Sequence, residues 1–194
     1  MKLSITHQES FSRSELLLRL FFGVFYIVLP HNFILFFLGL WGGILSFIAF
    51  WIILFTGRYP QSMFEYQEQL LRWRLRLKAR ISNLADGYPA FGLTATDEHT
   101  SLEIPYPERV SRGLTLIRFF FGWLYVALPH FFILFFRVLW GGILNILAFW
   151  VVLFTGKFPA SWHTFLVENI RWVYRVALYL GNMTDEYPPF NGRA

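Results

Sequence analysis

Leu16–Phe55 reads LLLRLFFGVFYIVLPHNFILFFLGLWGGILSFIAFWIILF, forty residues with one charged side chain, Arg19. A membrane-crossing helix needs about 20 consecutive apolar residues, so this stretch has nearly the length of two. A second stretch, Leu114–Phe154, carries only Arg118 and Arg137. The chain has 194 residues, 56% hydrophobic, 21% aromatic and 15% charged, against about 25% charged in soluble domains. A soluble chain of this size could not bury so much Phe, Trp and Leu. The fold class expected is an all-α integral membrane protein.

Working outward, the two stretches belong to one repeated unit. His31 recurs as His130, and the same spacing of 99 residues relates Arg19 to Arg118, Trp41 to Trp140, Gly57 to Gly156 and Asp86 to Asp185. From Arg13–Phe91 to Arg112–Phe190 the register never slips, and 38 of 79 positions are identical. That is a tandem duplication. The organisation expected is a polar segment 1–12, repeat 13–91, linker 92–111, repeat 112–190 and tail 191–194. The linker, with Asp97, Glu98, Glu103, Glu108, Pro105 and Pro107, reads as polar and partly extended.

Each apolar block ends in FTGRYP (Phe55–Pro60) or FTGKFP (Phe154–Pro159). Gly57 and Gly156 suit the left-handed position after a helix. Arg58 and Lys157 suit its negative end and the headgroups. Pro60 and Pro159 suit the start of the next helix. Leu71–Ile81 alternates apolar and basic residues like a strand, but Tyr66, Leu70, Trp73, Leu77, Ile81 and Leu84 recur at helical spacing. The second copy keeps a stripe of Phe165, Trp172, Val176, Leu180 and Met183. Both segments are expected to be amphipathic interfacial helices at the membrane surface.

Lys and Arg flank both blocks. Two crossings per block place nearly all of them on one side, as the positive-inside rule prefers. Each repeat is therefore expected to be a transmembrane helical hairpin followed by an amphipathic interfacial helix, about four membrane helices in all. The termini and linker would face the cytoplasm. Leu29-Pro30-His31 is the better turn, since Pro disfavours helical geometry before it. Trp41-Gly42-Gly43 is the other, and a shallow hairpin short of the far face is a third arrangement. No cleavable signal peptide is expected, because Met1–Ser12 is polar and the first block would itself direct insertion.

The strings Leu29-Pro30-His31, Ala49-Phe50-Trp51, Phe55–Pro60, Arg72-Trp73 and Asp86-Gly87-Tyr88-Pro89 resemble the bacterial membrane family catalogued as domain of unknown function 4389. So do Phe154–Pro159, Arg171-Trp172 and Asp185–Phe190 in the second copy. The resemblance covers both repeats and implies a bacterial cytoplasmic (inner) membrane location. It carries no catalytic residues.

His31 and His130 are the sharpest candidates for chemistry. As a twofold pair they could ligate haem iron or bind a quinone; the structural alternative is a wet interface position or a buried one partnered by Tyr26. Arg72, Trp73, Arg76, Arg171, Trp172 and Arg175 could hold lipid phosphates, or serve as generic anchors. Asp86 and Asp185 read as caps or ties. There is no Cys, which excludes disulfides and thiolate chemistry. Neither a nucleophile triad nor a phosphate-cradling loop is present, so no catalytic or metal residues are expected and no cofactor beyond the haem or quinone alternative. A net charge of +5 suits anionic membrane lipids rather than nucleic acid. The leading functional expectation is a scaffold or accessory subunit, packing with itself or other membrane proteins. Lipid binding or bilayer shaping is the alternative.

Overall fold

The computed structural model describes residues 1–193. It holds strand β1 (Lys2–Ile5), helix α1 (Arg13–Thr56), helix α2 (Gln61–Ile81), strand β2 (Thr100–Glu103), helix α3 (Arg112–Thr155) and helix α4 (Ala160–Leu180). The expected hairpin is corrected. Each apolar block is one helix of 44 residues, long and apolar enough to cross a membrane, so there are two such helices rather than four.

Proline fails to break α1 because the helix is widened just before it. Val24–Val28 is a π-helical turn, and Leu29 donates to the Val24 carbonyl five residues back. Pro30 then falls in the first turn of the next α-helical run, where its missing N–H costs least. The Tyr26 carbonyl, four residues before Pro30, is filled from elsewhere: Tyr88 Oη donates to it at 2.9 Å. In the second unit Trp123–Ala127 is the π turn, and Tyr187 Oη donates to Tyr125 O at 3.0 Å. Tyr88→Phe is expected to cost about 1 kcal/mol, read by thermal unfolding in detergent. Combined with Pro30→Ala, which returns an N–H to the helix, it should cost less; equal costs in both backgrounds would sever this link between Pro30 and Tyr88.

Gly57 ends α1 at φ 71° and Gly156 ends α3 at φ 72°, both left-handed. Pro60 and Pro159 stand at the N-caps of α2 and α4. Helix wins over strand across Leu71–Ile81, and most of its apolar stripe is buried within the protein. Leu70, Trp73 and Leu77 bury themselves against Ile27 and Leu35 of α1. The helix expected at the membrane surface packs along α1 by this stripe.

The all-α expectation is corrected by a small antiparallel sheet. Lys2 pairs Glu103 and Ile5 pairs Thr100. Leu3, Ile5, Leu102 and Ile104 are buried in one core with Leu75 and Ala79 of α2 and Leu178 of α4. The polar segment and the linker thus close one side of the helix pair. The linker also runs back along α2: Arg76 binds the Gly92 and Ala95 carbonyls, Arg80 binds Asp97, and Arg72 binds Leu102 O at 2.9 Å. Ile104 N–H reaches Glu68, Tyr106 Oη reaches Tyr59 O, and Val110 N–H reaches Gly57 O.

Helices α1 and α3 run antiparallel. Arg13 donates to Phe154 O and Phe11 N–H to Gly156 O at one end, Val110 N–H to Gly57 O at the other, and Phe50 meets Phe119 at 4.9 Å between ring centres. Three layers result: sheet and linker, then α2 with α4, then α1 with α3. The outer side of the third layer is uncovered from Leu17 to Phe55, with Phe21, Phe25, Phe33, Phe36, Trp41 and Phe47 exposed. Phe120, Trp123, Phe132, Phe136, Trp140 and Trp150 continue it on α3.

Candidate functional site

His31 and His130 each sit in a clasp built by three segments of their own unit. Both are 0% exposed. Trp73 Nε1 donates to His31 Nδ1 at 2.8 Å, and Trp172 Nε1 to His130 Nδ1 at 2.8 Å. Phe91 stacks on His31 with ring centres 3.9 Å apart, and Phe190 on His130 at 4.1 Å. The closing segment anchors at its other end through Asp86, which accepts from Ser12 N–H at 2.6 Å and from Arg19 at 2.8 Å. Asp185 repeats this with Ser111 N–H at 2.7 Å and Arg118 at 2.7 Å. Asn83 and Asn182 adopt positive φ, 53° and 57°, and turn their side chains to the same two arginines. A carboxylate at the N-terminus of α1 and of α3 also complements the helix dipole.

This arrangement fixes the imidazole tautomer. A nitrogen that accepts from indole carries no proton, so the proton of a neutral ring is on Nε2. Nε2 of both residues is buried with no hydrogen-bond partner among the described residues. An iron ligand needs a lone pair on the bound nitrogen and usually donates from the other; here the roles are reversed. A quinone oxygen could accept from Nε2–H only if the clasp opened, since that nitrogen has no exposed surface.

The basic residues expected to meet lipid phosphate also hold groups of the protein itself, Arg76 buried and Arg72, Arg171 and Arg175 partly exposed. Arg76 is buried among linker carbonyls, and burial pushes its guanidinium below the usual arginine value while Asp97 opposes the shift. Arg171 donates to Leu3 O and Gly192 O, Arg175 reaches Asn191 O at 3.5 Å, and Arg72 pairs with Glu68 at 2.8 Å. Trp73 and Trp172 are buried in the histidine clasps. These residues tie the linker, sheet and tail to α2 and α4. Arg137, charged within the second apolar stretch, is paired: Glu168 lies 3.3 Å away, Asn169 Oδ1 2.8 Å, and the guanidinium sits 4.5 Å over the Phe165 ring.

Sequence reasoning missed one feature. Between α1 and α3, roofed by α2 and α4, lies a cavity of about 810 Å³. Leu35, Phe36, Val138, Leu166, Ile170 and Val173 supply apolar wall. Arg74 and Lys78, both exposed, and Asn32 and Asn145 supply the polar part. The available signal was asymmetry between the copies: Arg74 and Lys78 correspond to Val173 and Ala177.

No curated protein and no solved structure matches the chain. Residues 13–92 match the model of the family described as Domain of unknown function (DUF4389), a match that supports the resemblance carried by the first unit's motifs and takes in His31, Trp73, Asp86 and Phe91.

Proposed function

We propose that the chain is two tandem copies of the DUF4389 domain that float together in one leaflet of a membrane and act by organising or shaping the lipid they displace. One observation carries the reading: the polar linker is bound along α2, and the other side of α2 packs directly on α1, whose outer side is apolar along its length. A straight α1 would measure about 66 Å at 1.5 Å per residue, roughly twice a hydrocarbon core of about 30 Å. Crossing the bilayer, it would draw the Arg72, Arg76, Arg80 and Asp97 layer into hydrocarbon, where a charge costs at least about 2.5–3.5 kcal/mol. Lying flat, it presents Phe and Trp ridges to acyl chains, while the outer face of the sheet, with Lys2 and Glu103, stays in water. Arg13, Arg58, Arg112 and Lys157 are exposed at the helix ends, each gaining on the order of 1 kcal/mol beside anionic lipid. The exposed basic residues favour the cytoplasmic side, where anionic lipid is met, and the family resemblance favours a bacterial inner membrane. The scaffold reading uses the same ridges and differs only in their cover, a partner's apolar helix instead of lipid.

The native chain has no Cys, so single cysteines test the disposition cleanly. Ser14→Cys and Arg58→Cys mark the two ends of α1, and Thr100→Cys marks the linker. All three are expected to react with an impermeant maleimide from one side of reconstituted vesicles, with spin labels at Phe25, Phe36 and Phe47 at one shallow depth. Ends labelled from opposite sides, or a deep middle label, would overturn the one-leaflet arrangement. Vesicle diameter should fall as protein is added; full insertion at unchanged diameter would remove the shaping role and leave the scaffold reading.

A further inference from the structure

We infer that the cavity between α1 and α3 holds one anionic phospholipid, its acyl chains between the helices and its phosphate on Arg74 and Lys78. The inference deepens the membrane reading and rests on it. The volume, about 810 Å³, lies in the range of ligand sites, about 300–1,000 Å³. Its walls are mostly apolar, and it lies between two helices whose exposed sides are apolar along their whole length. The two cations at its wall form no hydrogen bond or ion pair among the described residues, while Arg72, Arg76 and Arg80 on the same helix are all engaged. An apolar cleft edged by two free cations is complementary to a lipid with an anionic headgroup, and a zwitterionic one would bring its own cation against them.

Two further features fit this occupant. Asn145 borders the cavity with Oδ1 buried and unpartnered, an acceptor that a headgroup or glycerol hydroxyl would satisfy. Gly39 clears the path of the arginine: a Cβ there would stand 3.0 Å from Arg74 Nη2. The matching pair in the second unit is Val138 and Val173, so that side of the molecule has no equivalent charge.

The test is native mass spectrometry of the full chain released from micelles containing equal phosphatidylglycerol and phosphatidylcholine. One phosphatidylglycerol per chain is expected, retained at least tenfold over phosphatidylcholine. Arg74→Gln with Lys78→Gln should erase the preference. Gly142→Phe, where a Cβ meets nothing within 4 Å and the side chain would enter the cavity, should prevent retention of either lipid. Gly43→Phe, the counterpart outside the cavity wall and equally free of neighbours, is the folding control and should retain lipid as the wild type does. Equal retention of the two lipids by the wild type, or unchanged retention in Gly142→Phe, overturns the proposal. So does displacement by excess inorganic phosphate, which would indicate an anion site without acyl chains. If vesicle insertion succeeds while lipid retention fails, the cavity inference alone is wrong; if insertion fails, the membrane reading falls first.

Discussion

Asp97→Ala is expected to destabilise the protein by about 3–5 kcal/mol, the usual result of stranding one member of a buried ion pair. The Arg80 side chain is 5% exposed and that of Asp97 3%. Both guanidinium Nη atoms reach the carboxylate, whose Oδ1 also accepts from His99 N–H at 2.8 Å. Burial alone would raise the carboxyl's pKa; the hydrogen bonds from Arg80 and His99 outweigh burial and hold it below the usual value. The stability that follows is present above the unfolded carboxyl's pKa and is lost as pH falls through the lower folded value. Arg80→Met with Asp97→Leu should recover most of the loss, since an apolar pair of similar volume carries no desolvation cost. Chemical unfolding in mild detergent checks both. A loss under 1 kcal/mol for Asp97→Ala would mean that the linker is not fixed to α2, and the argument for the one-leaflet arrangement would lose its main support.

That argument could not be made from the sequence, for a specific reason. The lengths of the apolar blocks, the helix ends at Gly57 and Gly156, the starts at Pro60 and Pro159 and the helical stripe Leu70–Trp73–Leu77 were all legible, because each depends on local geometry or periodicity. The hairpin at Pro30 was a local inference too, and it failed because its remedy is distant. The π turn and the Tyr88 hydroxyl from 62 residues away keep the helix intact across the proline. The arginines of α2 read as lipid contacts because helical position says which side they occupy and nothing about what covers that side. The linker's polarity pointed to water, which is right for its outer face, while its carbonyls and Asp97 turn to Arg72, Arg76 and Arg80. Arg19, Tyr26, Pro30, His31, Trp73, Asp86, Tyr88 and Phe91, all identical in both copies, prove to belong to one clasp in each unit. The cavity's cations, by contrast, lie at positions where the copies differ. Identity at these clasp positions marks how each unit is held together, and the divergence at Arg74 and Lys78 marks where the molecule has one side unlike the other.

The divergence also sets the response to acid. Position 163 is His where the first unit has Phe64, and both side chains are buried. His163 Nε2 lies 3.3 Å from Leu84 O of the other unit, and its ring meets that of His7 edge-on at 4.9 Å. Burial, with a smaller contribution from His7 and against the pull of the Leu84 carbonyl, lowers its pKa to about 4. An unfolded histidine titrates near 6.5. The folded state therefore binds fewer protons in this window. Its stability is complete above about pH 6.5 and is lost as pH falls toward about 4, to a total of roughly 3 kcal/mol at 1.36 kcal/mol per unit. His163→Phe, which copies the first unit, is expected to weaken the dependence between pH 7 and 4.5 with little change at pH 7, the share of the other buried imidazoles, His31 and His130, remaining. The Asp97 contribution, lost only below the ordinary carboxylate range, should remain in that variant as a second, more acidic decline. Melting temperatures measured at half-unit steps separate the two. A wild-type protein whose melting temperature is level from pH 7 to 4.5 would mean that His163 is hydrated or charged in the folded state, and that the two units do not close on it as the Leu84 contact requires.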